Sequence, residues 1–448
     1  MSWFGFLGVL LRAVAAVVAA PRLKSLERPA RDLDTLCRWS ALRGVVMEMP
    51  RTRLTRTLLR IPWRELRYRL FILPYSVLFV LHAARVVVRV KGPALLRARG
   101  LGLLEQWCQV VSLCLANPGR LVPEDYYVFA LHNPDNEPFA RLSAQNFHLR
   151  GLIDLGAVAA GQADRPRFMA TLTDKERFLS FCAEHGLPAP AAVAVFAEGR
   201  ARWLGEPSGR LPHEDLFVKP VVGAVGAGAS RLLYDPEGDS FRLESTPMSE
   251  DEVLRHLEAA SLDTALLVQR RLANHPQLVP LVGDRTLSTL RVFTARVLPD
   301  EYAPVAAFLR LGQGDGPVDN FSSGGLACIV DLESGRLGPG YRKYGEDRHL
   351  THPRTGARLA DVAVPGMDRV VELCLRAHRV LVEADGGFRL PVVGWDVAVT
   401  AEGPLLVEAN SPCDLILQKG LDEPLLAHPV FSACLESHLA RYRELLGQ

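Results

Sequence analysis

Two carboxylates and an amide lie close together in GWDVAVTAEGPLLVEANSPCDLILQ, residues 394–418. GWDVAVT and PLLVEAN have the alternation of strands, and AEGP between them has turn chemistry. A turn centred on Glu402 sets Asp396 opposite Glu408, with Asn410 on the same face. Trp395, Val397, Val399, Leu405, Val407 and Ala409 then form the apolar face. Opposed carboxylates repel. A divalent cation relieves the repulsion, and hard oxygen donors completed by water and phosphate suit Mg²⁺. The other reading of the same pattern is a solvated polar hairpin face.

A second stretch, DLFVKPVVGAVGAGASRLL (215–233), puts Lys219 before Gly223, Gly226 and Gly228. Glycine lets backbone N–H groups approach a ligand, and successive N–H groups form an anion nest. Phosphate is the natural occupant. The order is not that of a P-loop, whose lysine follows the glycines and precedes Ser or Thr. The spacing G-x-x-G-x-G is not the dinucleotide fingerprint either. On its own the loop could equally be a hairpin tip without a ligand.

Positioning these residues requires alternating helices and strands from about residue 165 onward. TLTDKERFLSFCAEHGLPAP (171–190) reads as a helix with Thr173 and Glu176 as a capping box. Strands are expected at 191–196, 215–220, 230–235 and 264–272, and in TLRVFTARVL and PVAAFLRLG. Helices are expected at 249–260, with a Ser249–Glu252 capping box, and at 367–383. Residues 1–120 read as helical, broken at Pro21, Pro50 and Pro62, with a stop at Asn117-Pro118-Gly119.

At 448 residues, two or three domains are expected. The net charge of +2 hides an asymmetry: residues 1–100 hold 19 Lys/Arg against 5 Asp/Glu, and the other 348 hold 33 against 45. The apolar runs 3–21 and 70–84 carry Arg12, and Pro74 with His82. They read as buried or interfacial helices rather than spans or a signal peptide. The basic segment suits an anionic membrane surface. Nucleic acid is not expected, because aromatic residues are not regularly interleaved with the arginines. The eight cysteines form no C-x-x-C pair and no zinc-ligand spacing, which fits a reducing, cytoplasmic compartment. Cys413 reads as a small apolar residue.

The stretches TDKERF, FVKPVVGAVGAG, LVQRRLANHPQL, TLRVFTAR, VDNFSSGGLACIVD and GWDVAVT…LLVEANSP, in this order, resemble the ATP-grasp superfamily over about residues 125–420. Within it the sequence is most similar to the sugar-transfer-associated ATP-grasp group, related to α-L-glutamate ligases. The resemblance implies an α+β ATP-grasp fold, two α+β subdomains whose antiparallel sheets grip ATP. Its domain covers 125–448, with subdomains at about 165–235 and 264–448, after a helical, Arg-rich region at 1–124. It also implies that the glycine loop is a flap over the ATP phosphates. Lys219 then reaches the α- and β-phosphates, helped by Lys175, and Val268-Gln269-Arg270-Arg271-Leu272 lines the adenine pocket. Asp396, Glu408 and Asn410 hold one or two Mg²⁺ against the β- and γ-phosphates. Arg270 and Arg271 stand where many relatives have an acid for the ribose, which leaves that contact unassigned.

The implied reaction is ATP-dependent joining of a small-molecule carboxylate to an amine through an acyl phosphate. Arg291 and Arg310 are candidate clamps, since guanidinium suits carboxylate and phosphate oxygens; the alternative for each is a surface ion pair. Asn320, beside Gly324-Gly325, is a candidate for orienting the acceptor or the third phosphate. The rival readings are another phosphoryl-transfer or acyl-activating enzyme, and a membrane-associated scaffold with a vestigial ATP site.

Overall fold

The computed structural model describes residues 83–116, 121–143, 146–159, 171–204, 209–223, 228–243, 246–284, 286–312, 321, 324–384 and 390–445. The amino-terminal run, the stop at 117–119, Gly226 and Asn320 lie outside the described residues. Two compact units are formed, one up to Leu155 together with Asp422–Ser432, the other Gly156–Leu421 together with Ala433–Gln448.

The helices of the first unit are α1 (Gly92–Arg99), α2 (Leu103–Ala116), α3 (Asp125–Val128), α4 (Glu137–Leu142) and α5 (Asn146–Ala159), the last running past its boundary. Gln106 ties the unit together. Its Nε2 donates to Gly92 O and Leu101 O, and its Oε1 accepts from the Tyr127 hydroxyl at 2.9 Å. A buried amide satisfied on both ends fixes one packing arrangement.

The second unit begins with α6 (Lys175–Glu184) and is built on two antiparallel sheets. The first has seven strands in the order β2-β1-β7-β3-β4-β5-β6. These are β1 (Ala192–Ala197), β2 (Arg200–Trp203), β3 (Leu216–Pro220), β4 (Ser230–Asp235), β5 (Ser240–Leu243), β6 (Thr246–Met248) and β7 (Leu266–Arg270). Helix α7 (Glu250–Ala260) buries Val253 and Leu257 against Ala194, Phe196, Leu216, Val218 and Val268 on one face. Its Ser249–Glu252 capping box is formed as expected. The opposite face carries Phe217, Lys219, Leu267 and Gln269, which share rungs of the β3–β7 ladder.

The short α8 (Val279–Val282) leads into the second sheet, ordered β11-β10-β9-β8-β12-β13. Its strands are β8 (Thr289–Val297), β9 (Glu301–Leu311), β10 (Leu326–Val330), β11 (Leu337–Tyr341), β12 (Val392–Thr400) and β13 (Gly403–Asn410). Helix α9 (Met367–Ala384) covers one face with Met367, Val370, Leu373, Cys374, Ala377, Leu381 and Val382, an apolar stripe of helical period. They pack with Leu290, Val292, Trp395, Val397, Leu406 and Ala409. Full burial of one large apolar side chain contributes about 1.5–3 kcal/mol, so this layer fixes the sheet. A final helix, α10, spans Pro429–Leu445.

One polar chain threads this core. Trp395 Nε1 donates to Thr294 Oγ1 at 2.8 Å, Thr294 Oγ1 meets His378 Nδ1 at 2.9 Å, and His378 Nε2 meets Leu390 O at 2.9 Å. A carbonyl only accepts, so Nε2 carries the proton and Nδ1 accepts from the threonine hydroxyl. Burial pushes His378 down to about 4, which keeps it neutral. The chain orients Trp395, the neighbour of Asp396.

One expectation is corrected here. Helix α6 is capped by Asp174, whose side chain accepts from Glu176 N and Arg177 N, rather than by Thr173. Asp174 also forms a β-bridge with Val222, and this long-range contact sets where the helix starts. Glu176 instead pairs with Arg202.

Candidate active site

The hairpin β12–β13 sets Asp396 opposite Glu408 and Gly394 opposite Asn410. The turn itself is tighter than expected, with Thr400 opposite Gly403. The ladder slips between Val397–Leu406 and Asp396–Glu408, so Val407 is the extra residue of a bulge. The slip explains a second correction. Leu406 and Ala409 point into the core, whereas Leu405 and Val407, expected there, are only partly buried. The bulge reverses the side-chain phase between the turn and the carboxylate.

Four adjacent strands carry one row of charged side chains. Arg310 comes from β9, Arg291 from β8, Asp396 from β12 and Glu408 from β13. Arg291 lies opposite Asp396 in the ladder. Its Nε donates to Asp396 Oδ1 at 2.5 Å and its Nη2 to Oδ2 at 3.2 Å. Arg310 Nη2 reaches Asp396 Oδ2 at 3.1 Å, and its Nε donates to Thr289 Oγ1 at 3.0 Å. Neither arginine forms an exposed surface pair: Arg291 is buried with Asp396, and Arg310 is partly buried beside it. Removing the carboxylate from such a group strands buried charge at about 3–5 kcal/mol.

The two carboxylates differ because their neighbours differ. Burial opposes charge on Asp396, but Arg291 and Arg310 outweigh it and hold the carboxyl below its usual range. Burial and then Asp396 push Glu408 above its usual range. The Arg contacts use three of about four lone-pair sites on Asp396. Asn410, beyond them, has a buried Nδ2 without a hydrogen-bond partner. Glu408 is drawn by Lys175, Lys219 and Arg291, Asp396 keeps a lone pair, and Asn410 supplies an amide oxygen. This all-oxygen set fits a hard divalent cation. Among the described residues no group of three or more His, Cys, Asp or Glu that could hold a metal ion forms.

Two lysines, Lys219 from β3 and Lys175 from α6, lie beside these carboxylates. Lys219 is 7% exposed, and burial pushes it down to about 8, against the pull of Glu408 and Asp396. Lys175 opens α6, where its N–H donates to Val221 O at 3.0 Å and its Nζ to Gly223 O at 2.8 Å. The helix start is thereby tied to the base of the glycine loop. Gly228, at the loop's far end, has φ +74°. Lys175, Lys219, Arg291 and Arg310 face Asp396 and Glu408, four cations against two carboxylates. This excess in a desolvated place suits a polyanion.

At the end of β7, Gln269 is 3% exposed and its Oε1 has no hydrogen-bond donor. It shares a face with Lys219. Arg270 pairs with Glu214 at 3.2 Å and Arg271 with Asp215 at 3.0 Å, so the two arginines at the unassigned ribose position are neutralised by acids just before β3. Leu272 follows them, partly buried.

Sequence reasoning missed Glu214, Asp215 and Thr289, and also Gly394. A Cβ on Gly394 would lie 2.7 Å from Cys413 Cβ and 3.3 Å from Phe293 Cε1, so glycine is what lets Cys413 pack there, while Arg291 Cδ at 3.4 Å would be in ordinary contact. Cys413 is buried and its thiol is pushed up to about 12, as suits a packing residue.

Residues 160–427 match the family described as sugar-transfer associated ATP-grasp. A D-alanine--D-alanine ligase of Chromohalobacter salexigens is 29% identical over 125 residues, which cover 27% of this chain and 32% of that protein. The match thus spans about a third of that relative. Among solved structures, a D-alanine--D-alanine ligase from Bacillus anthracis complexed with ATP aligns at 12% identity and a TM-score of 0.35, covering 64% of this chain and 74% of its own. An L-amino acid ligase from Bacillus licheniformis aligns at 13% identity and a TM-score of 0.32, covering 59% and 45%.

Proposed function

We propose that this chain, which belongs to the sugar-transfer associated ATP-grasp family, is an ATP- and Mg²⁺-dependent ligase that joins a small-molecule carboxylate to an amine. The observation that carries the reading is the row Arg310–Arg291–Asp396–Glu408 facing Lys219 and Lys175. A nucleoside triphosphate with a divalent cation matches that charge pattern. A role in building sugar conjugates or cell-surface polymers goes with the family's description and remains part of the proposal.

A carboxylate is a poor electrophile because its leaving group would be oxide. Attack of a carboxylate oxygen on the γ-phosphorus of ATP forms a new O–P bond, breaks the bond to the β-phosphate and releases ADP. The amine nitrogen then attacks the acyl carbon, inorganic phosphate leaves, and the nitrogen loses a proton. Such chemistry depends on positioning and charge neutralisation. Lys219 and Lys175 neutralise the α- and β-phosphates, and Gly223, Gly226 and Gly228 offer backbone N–H groups to them. Arg291 and Arg310 balance charge on the phosphoryl group in transfer. Glu408, Asn410 and the open lone pair of Asp396 would hold Mg²⁺, which supplies Lewis acidity and a template. Gln269 and Leu272 serve the adenine side, and Asn320 the acceptor side.

Product analysis separates this from an adenylating enzyme. With substrates found by screening, ATP consumption should release ADP and inorganic phosphate in equal amounts. Release of AMP and pyrophosphate would reject the acyl phosphate while leaving the nucleotide site in place.

The basic first hundred residues are assigned to peripheral docking on the inner face of the cytoplasmic membrane. The support is their excess of 19 Lys/Arg over 5 Asp/Glu. Among the described residues no helix is long and apolar enough to cross a membrane. Basic groups near an anionic leaflet contribute about 1 kcal/mol each. The full chain should float with anionic but not neutral liposomes, and lose binding as salt rises. If it ignores anionic vesicles at low salt, the segment pairs instead with the acidic remainder of the chain.

A further inference from the structure

Chain beyond the metal hairpin forms a strap over the same sheet face. Ser411 Oγ donates to Val392 O at 3.1 Å, and Cys413 packs where a Gly394 side chain would be. Gly394 is two residues from Asp396 on β12, so the strap starts on the face of the charged row. It ends on that face as well. Arg310 pairs with Ala327, and Ala327 with Tyr341, so these residues share one rung and project to the same side. The Tyr341 hydroxyl donates to Leu417 O at 2.7 Å, and its ring fills the place of a side chain on Gly420.

Beyond Tyr341, residues 341–348 form a loop closed by the Gly340–His349 bridge, with hydrogen bonds of 2.8 Å in both directions. Lys419, near the end of the strap, holds the loop from beneath: its Nζ donates to Lys343 O at 3.1 Å and Gly345 O at 2.9 Å. Two of its three N–H donors are thus used on carbonyls. The Arg348 guanidinium carbon lies over the Tyr341 ring, 5.5 Å from its centroid. Guanidinium N–H groups suit an oxyanion. Loop and strap together contribute Arg342, Lys343, Arg348 and Lys419 against Glu346, Asp347 and Asp414.

We propose that Arg348 and Lys419 form a second anion site, which takes a phosphate or carboxylate group carried by the substrate. It rests on the ligase reading above. Two strand spacings separate β11 from β9, so Tyr341, at the root of the loop, stands about 10 Å from Arg310 along the rung. The substrate it selects is an anionic one, carrying a second charged group besides the reacting carboxylate. Burial pushes Lys419 down to about 8, with Arg348 adding to the effect and Glu346 opposing it. A bound oxyanion would reverse that shift, which is how a cationic pair prepared for an anion behaves.

The test uses the full chain saturated with Mg²⁺ and a β,γ-imido analogue of ATP, which fills the third-phosphate position. Calorimetric titration follows with inorganic phosphate and, separately, acetate, so the two arms tell phosphate from carboxylate. The parent should bind at least one of them. Arg348→Ala should weaken that binding by about tenfold or more, with analogue affinity and melting temperature unchanged. Lys419→Met should show the same loss; its burial makes a folding defect more of a risk, so Arg348→Ala decides. Absence of binding by the parent, or equal binding by Arg348→Ala, overturns the proposal. If the analogue itself does not bind, the ligase reading falls, and the same titration of the free protein still decides the anion site.

Discussion

Replacing Glu408 with glutamine should lower turnover by about 10²–10³-fold, the scale for a group that stabilises charge developing in the transition state. The amide keeps the shape of the side chain and removes one negative charge from the cation site. Its effect on stability should run the other way. Burial and Asp396 both disfavour the charged form of Glu408, so the neutral isostere removes an unfavourable burial and a like-charge contact. Thermal stability should hold or rise while turnover collapses. That opposition separates a functional carboxylate from a merely structural one, whose loss would lower stability and activity together. Measuring ADP release at saturating Mg²⁺, alongside a melting curve, gives both readouts. Near-parental turnover would return Glu408 to a solvated polar face and remove it from the metal set. Asp396 is a poorer choice for this experiment, because its loss strands Arg291 and Arg310 in a buried place.

The chemistry of the site was legible where it rests on residue type and short spacing. The opposition of Asp396 and Glu408 was expected from a turn centred on Glu402, and the structure reaches it by another route, a tighter turn offset by the bulge at Val407. The phase of the apolar face was not legible. Leu405, Leu406 and Val407 are all apolar, so the sequence carries no mark of which is the bulged residue. The choice is made by packing against α9 and by the paired strand. The start of α6 was misread by one residue for a similar reason. Thr173 and Asp174 both make good caps, and only the bridge from Asp174 to Val222 selects between them. Long-range partners were out of reach. Arg291 and Asp396 are separated by 105 positions, and nothing local to either names the other. The strap from Ser411 to Gly420 likewise reads as a loop until Tyr341 and Gly394 show which face it crosses. The glycine loop is a different case: its composition allows close backbone approach and equally suits a bare hairpin tip, and residues 224–227 lie outside the described residues.

Lys219 offers the most direct test of the whole reading. It reaches the site from the first sheet, whereas the carboxylates and arginines come from the second, so its effect reports whether the two sheets hold one ligand between them. A charge-assisted bond to phosphate contributes about 1.5–3 kcal/mol, or roughly ten- to hundredfold in affinity. Burial holds the free lysine at about 8, and only the protonated form pairs with phosphate. Affinity for ATP should therefore be flat below pH 8 and decline above it, with proton uptake on binding. The decisive measurement is a calorimetric titration of Mg-ATP into the parent and into Lys219→Met, which keeps most of the apolar stem. Binding by the parent, weakened about ten- to hundredfold in the variant at an unchanged melting temperature, is the predicted result. A parent that does not bind Mg-ATP, or a variant that binds it equally well, would contradict the account.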